Sequence, residues 1–392
     1  MNRATKRHKR AEDELLLCCA RTAASEQIAE RVREIAGTEI DWEYLFLLAR
    51  RHSVVPLVYR QLDRHASDLV PVEHLNTLKK HYQENVARNT ILTAELCRLI
   101  ARFADSGIDA IPYKGPVLAL FAYGNIALRR FVDLDVIVKK SDVLKAREIL
   151  LAEGYTPSKS LSVNQQEVLL RTQHNIQFSR DDRRLIVELH WEVAPHLFAS
   201  TVDSDQLWEH TIDVDLNGTQ VKTLSAEDLL FSLCVHGSRH LWERLGWICD
   251  IAELLARHSF DWPTLLKRAA HADSDRMFLL GLYLAGTLLE APLPDEVEQR
   301  CASDPRLSLL ADSVVEHLFN GTTHVPATSS EIFRYNIGVR KTLGARARYI
   351  LYMLRPTDSD LSARSLPESL SFAYYLARPF RILKRGMFDT KI

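Results

Sequence analysis

Arg129-Arg130-Phe131-Val132-Asp133-Leu134-Asp135-Val136-Ile137-Val138 decides how the rest of the chain is read. Two aspartates stand two residues apart inside an apolar, β-branched run. Alternation with a period of two puts Val132, Leu134, Val136 and Val138 on one face of a strand. Asp133 and Asp135 then share the other face, near the start of the strand. Carboxylates held that close repel, so a fold keeps the pair only with compensation. A divalent cation is the usual compensator, and hard oxygen ligands suit magnesium. The pair points to metal-dependent phosphoryl or nucleotidyl transfer.

A second strand reads the same way. In Leu185-Ile186-Val187-Glu188-Leu189-His190-Trp191-Glu192-Val193 the odd positions are apolar, and Glu188, His190 and Glu192 fall together on the opposite face. Laid beside the Asp-Leu-Asp strand, Glu188 becomes a third carboxylate for the same metal site. Two ions held by three carboxylates can activate a hydroxyl and neutralise a triphosphate leaving group. The assignment of Glu188 depends on register, and Glu192 and Asp182 are the alternatives.

Around these strands the pattern is helical from Leu15 to Phe103, with Asp41 reading as the cap of a helix that opens at Trp42. A short strand over Ile108–Tyr113 turns through Lys114-Gly115-Pro116 into a helix from Val117 to about Tyr123. Ser141 reads as the cap of a helix over Asp142–Glu153, which Gly154 ends. His174–Ser179 and Leu185–Val193 form a hairpin; Ile212–Leu216 and Gln220–Leu224 form another through Asn217-Gly218. From Ser225 the pattern is helical again. The fold class expected is α+β: a helical N-terminal region with a basic tail (1–104), a core with a small mixed sheet (105–224) and a helical C-terminal region (225–392).

Composition bounds the partners. The chain has 392 residues, 46% of them apolar and 26% charged, enough for a sizeable core. A formal net charge of -1 disfavours a nucleic-acid binder that relies on a broad basic surface. The six cysteines form no Cys-x-x-Cys pair and read as buried, reduced thiols of a cytoplasmic protein. The basic start lacks the apolar run of a signal peptide, and the longest apolar run, Met277–Leu289, is too short to span a bilayer.

Taken in order, three elements resemble the polymerase-β type nucleotidyltransferase superfamily, and within it a bacterial branch of uncharacterised nucleotidyltransferase-family proteins. They are Lys114-Gly115-Pro116, Arg129-x-x-x-Asp133-Leu134-Asp135-Val136 and Val187-Glu188-Leu189-His190-Trp191. Two flanks carry the same likeness: Trp42–Tyr59 with His52 and Pro56, and a tail of Arg355-Pro356-Thr357-x-x-Asp360, Leu366-Pro367 and Tyr374-Tyr375-Leu376-x-Arg378-Pro379-Phe380-Arg381. The resemblance implies transfer of a nucleoside monophosphate from an NTP such as ATP to an acceptor hydroxyl on a small molecule, a sugar or a protein. It implies Asp133, Asp135 and Glu188 as ligands of Mg2+, with room for two ions. It implies phosphate binding by Lys114 and the backbone at Gly115, where the wider superfamily has Gly-Ser, and Val132 stands where the branch carries a small residue. Arg129 reads as a phosphate ligand or a surface charge, His190 as a site residue or a structural histidine, and Asp250 as facing the nucleotide or capping a helix. His236 and His240, spaced i and i+4, would suit zinc but show no third ligand, while Trp242, Leu245 and Trp247 read as packing. Arg378, Arg381, Lys384 and Arg385 make a basic C-terminal helix. The alternative function is a catalytically silent binding or assembly module on the same fold.

Overall fold

The computed structural model describes residues 10–159, 162–181, 184–199, 204–216, 218–323, 326–357, 360, 373–376 and 378–379. The N-terminal tail up to residue 9, Asp182, Asn217, Leu366-Pro367 and the basic residues Arg381, Lys384 and Arg385 lie outside them.

The chain opens with α1 (Ala11–Cys19), α2 (Glu26–Ala36), α3 (Trp42–Arg51), α4 (Val55–His65) and the 34-residue α5 (Val72–Asp105). Asp41 caps α3 as its sequence predicts, accepting from Tyr44 N. The mixed region follows: β1 (Ala110–Pro112), α6 (Gly115–Tyr123), β2 (Leu134–Val138), α7 (Val143–Ala152), β3 (Thr156–Pro157), α8 (Val163–Thr172), β4 (Asn175–Arg180), β5 (Leu185–His190), α9 (Ser204–Glu209), β6 (Thr211–Leu216) and β7 (Thr219–Leu224). Helices complete the chain: α10 (Ala226–Arg239), α11 (Leu245–Arg257), α12 (Trp262–His271), α13 (Asp275–Leu289), α14 (Asp295–Ala302), α15 (Pro305–Leu318), α16 (Ser329–Gly338) and α17 (Leu343–Met353). This is an α+β fold with a small mixed sheet, as expected.

One local expectation fails. Ser141 caps nothing: it lies within a 3-10 turn, Lys140–Asp142, and α7 starts at Val143. Asp142 N already donates to Lys139 O, so the chain is wound before the helix begins and the side-chain cap is not needed.

The principal sheet runs β1-β2-β5-β4-β3. β2 and β5 are parallel; their neighbours are antiparallel. All five residues of β2 are buried, because both faces of the sheet are covered. Leu134, Val136 and Val138 pack with Val187 and Leu189 against Leu92, Leu96, Leu99 and Phe103 of α5. On the other face Ile111 and Ile137 join a second core, built from α1–α4 and α10–α15. Asp135 shares this second face with Ile137, so it lies between the sheet and the helical body. The apolar run Met277–Leu289 falls in α13, where Phe278, Leu280 and Leu284 are fully buried. No helix among the described residues is long and apolar enough to cross a membrane. All six cysteines are free; five are buried and Cys97 is half-buried.

Candidate active site

The parallel register sets Asp135 opposite Glu188 and Ile137 opposite His190. Paired residues on neighbouring strands project to the same face, so Asp135, Glu188 and His190 converge. His190 Nε2 lies 3.2 Å from Asp135 Oδ1 and 3.3 Å from Glu188 Oε2. Asn175 on β4 donates its Nδ2 to the same Glu188 oxygen at 2.9 Å. Ligand atoms of Asp135, Glu188 and His190 all lie within 4.8 Å of one another. Asp133 stands just ahead of β2 and lines the same cavity, but it is outside that tight group. Glu192 lies beyond the end of β5 and does not line the cavity.

Lys114 enters from the turn between β1 and α6. Gly115 has a φ of +55°, and a Cβ there would lie 3.1 Å from Asp133 O. Only glycine suits both the backbone and that close approach. The turn directs Lys114 Nζ to 3.3 Å from Asp135 Oδ1 and 3.4 Å from His236 Nδ1.

The electrostatics follow from this packing. Burial works against charge on Lys114, yet Asp135, Tyr113, Glu188 and Asp133 outweigh it and hold the ammonium protonated. Burial would also raise Asp135, but Lys114 and His190 hold it well below the usual carboxylate range. Glu188 is lowered against its burial by the hydrogen bond with His190, and His190 is raised against its own by Asp135 and Glu188. Asp133 is the carboxylate left uncompensated: burial, then the charges of Asp135 and Glu188, push it up to about 6.

A cavity of about 550 Å³ opens over these groups. Its floor is acidic and its helical wall is basic, with Arg50, Arg130, Arg239 and Arg244 beside Ser53, Glu243 and Trp247. His52 builds that wall. Leu245 N donates to its Nδ1 at 3.2 Å, which leaves Nε2–H to donate to Leu318 O at 3.0 Å. Burial pushes this imidazole down to about 3, so it stays neutral in that tautomer. Gly246 N adds a bond to His52 O. The turn after α3 is thereby clamped to the start of α11, which brings Arg50 and Arg244 to one wall.

Arg129 lines the cavity and is paired within the fold: its Nε and Nη2 donate to Asp250 Oδ1 and Oδ2 at 2.7 and 2.9 Å, and Tyr123 Oη donates to the same carboxylate at 2.7 Å. Asp250 is buried in this pair and neither lines the cavity nor caps a helix. The neighbour Arg130 also lines the cavity, and burial followed by repulsion from Arg244, Arg88 and Arg50 lowers its pKa. Trp242 and Leu245 are packed in the core as expected, but Trp247 lines the cavity against His236 and His240. Burial and the charge of Lys114 keep His236 neutral.

Residues 38–290 match the protein family described as "Uncharacterised nucleotidyltransferase", a span from α3 to the end of α13 that holds every cavity residue. No curated protein matches the chain.

Proposed function

Since the chain belongs to the uncharacterised nucleotidyltransferase family, we propose that it moves a nucleoside monophosphate from an NTP to an acceptor hydroxyl, with a divalent metal. The convergence of Asp135, Glu188 and His190 beneath a basic-walled cavity carries this reading. The donor set suits a metal: two carboxylates and an imidazole are within coordinating reach of one point, and Asp133 adds a carboxylate on the cavity side. When bound, the metal would polarise the α-phosphate and offset the charge of the leaving group.

The chain's own residues supply the remainder. Lys114 can move between Asp135 and the phosphates because it is bound to a neutral histidine as well as to a carboxylate. Arg50, Arg130 and Arg244 face the cavity beside Arg129 and offer guanidiniums to the triphosphate. In this reading Glu188, which accepts a hydrogen bond from Asn175, takes the proton of the acceptor hydroxyl. The acceptor oxygen then forms a bond to the α-phosphorus, the α–β bridging bond breaks and pyrophosphate departs. The net charge of -1 favours a small molecule, a sugar or a protein side chain over nucleic acid.

One observation favours the silent binding module. Lys114 already pairs with Asp135, the carboxylate a metal would otherwise neutralise. Calorimetry with an NTP, with and without Mg2+, separates the two readings. The enzyme binds NTP more tightly with the metal; equal affinity in both conditions indicates the silent module.

A further inference from the structure

His190 was read from sequence as a site residue or a structural histidine. Its position is more specific than either. Its Nε2 is 3.2 Å from Asp135 Oδ1 and 3.3 Å from Glu188 Oε2. With bonds of about 2.1 Å, adjacent ligand atoms stand about 3.0 Å apart in an octahedron and about 3.4 Å apart in a tetrahedron. The observed separations fall between these values. The ring is only 3% exposed, so it cannot turn out to solvent. Among the described residues its Nδ1 has no hydrogen-bond partner, so Nε2, facing both carboxylates, is the nitrogen the fold uses. The rings of Tyr113 and His174 meet it edge-on and hold its plane. Lys114, the competing cation at Asp135 Oδ1, has His236 Nδ1 as a second resting place.

We propose that His190 Nε2 is itself a metal ligand, with Asp135 and Glu188, and that this nitrogen makes the site select a first-row ion such as Mn2+ over Mg2+. Imidazole is a softer donor than carboxylate; Mg2+ favours an all-oxygen shell, whereas first-row ions accept mixed nitrogen and oxygen ligands. Coordination replaces the Nε2 proton, which passes to solvent, and the ring keeps its proton on Nδ1. The proposal rests on the nucleotidyltransferase reading for the presence of a metal, but it concerns the donor set alone.

The test uses Mn2+ alone as probe, on the full chain. Pulsed electron paramagnetic resonance of bound Mn2+ should show coupling to a directly bound imidazole nitrogen, and that coupling should change isotope when the histidines carry 15N. In His190→Gln it should vanish. By calorimetry Mn2+ should bind at least about tenfold tighter than Mg2+ in the wild type, and within about threefold of it in the variant. If the variant does not fold, the 15N-labelled wild type still decides. Bound Mn2+ without nitrogen coupling overturns the proposal and leaves the nucleotidyltransferase reading standing. Absence of any Mn2+ or Mg2+ binding removes both. Nitrogen coupling without nucleotide turnover supports the site and removes the enzymatic reading.

Discussion

Asp133→Asn should stabilise the metal-free protein. Burial and the charges of Asp135 and Glu188 push the Asp133 carboxyl from 3.8 up to about 6, so its ionised form strains the fold. At ~1.36 kcal/mol per tenfold, a rise of that size is worth roughly 3 kcal/mol at neutral pH. Asp133 is only partly buried, so solvent screening reduces the expected gain to about 1–2 kcal/mol. The sign follows from proton binding. The folded state holds this proton more tightly than the unfolded state, so the wild type is least penalised below the ordinary value of 3.8 and carries the full penalty above about 6. Asparagine mimics the neutral carboxyl at every pH. Urea denaturation in a chelator should therefore show the variant ahead by about 1–2 kcal/mol at about pH 8, with the gap closing towards about pH 3.5. A variant no more stable than the wild type at the higher pH, or a gap that does not change with pH, would refute the reasoning.

The remaining predictions concern other parts of the same frame. Asp250→Ala leaves the Arg129 guanidinium buried without its carboxylate and should cost about 3–5 kcal/mol in chemical denaturation; a loss below about 1 kcal/mol would show the pair to be dispensable. Gly237→Ala would place a Cβ 2.3 Å from Trp242 Cζ3 in the packed core, and should cost about 1–3 kcal/mol and lower the melting temperature; an unchanged melting temperature would mean that the indole can move aside. Lys114→Met removes the cation beside Asp135 and should weaken NTP binding by at least about tenfold while strengthening metal binding without nucleotide; unchanged NTP affinity by calorimetry would exclude the phosphate role.

Much of the sheet was legible because a period of two is a local property. Alternation alone put Glu188 and His190 on one face and Asp133 and Asp135 on another, and the parallel pairing of β2 with β5 brought Asp135 beside Glu188. His190 needed that register: a single strand shows that it shares a face with Glu188, but not that its Nε2 bridges to a carboxylate 55 residues away. The pairing of Arg129 was hidden for the same reason. Its partner Asp250 is 121 residues distant, and no local pattern tells a paired guanidinium from a free one. The wall of Arg50 and Arg244 comes from separate elements joined through buried His52, and Arg130 reaches it from the segment before β2. The available signal was the Arg50-Arg51-His52 run at the end of an amphipathic helix. Ser141 failed on a short-range competitor, a 3-10 turn that satisfies the first amide before any cap is needed.

Nucleotidyl transfer is read out by release of pyrophosphate from NTPs and passage of the α-label to product, with divalent metal and a mixture of candidate hydroxyl acceptors, in the wild type and in Asp135→Asn. Release should depend on metal, with label passing to an acceptor in the wild type, and should fall to background in a variant whose circular dichroism is unchanged. Release that persists in a chelator, or that proceeds undiminished in Asp135→Asn, would contradict the proposed transfer.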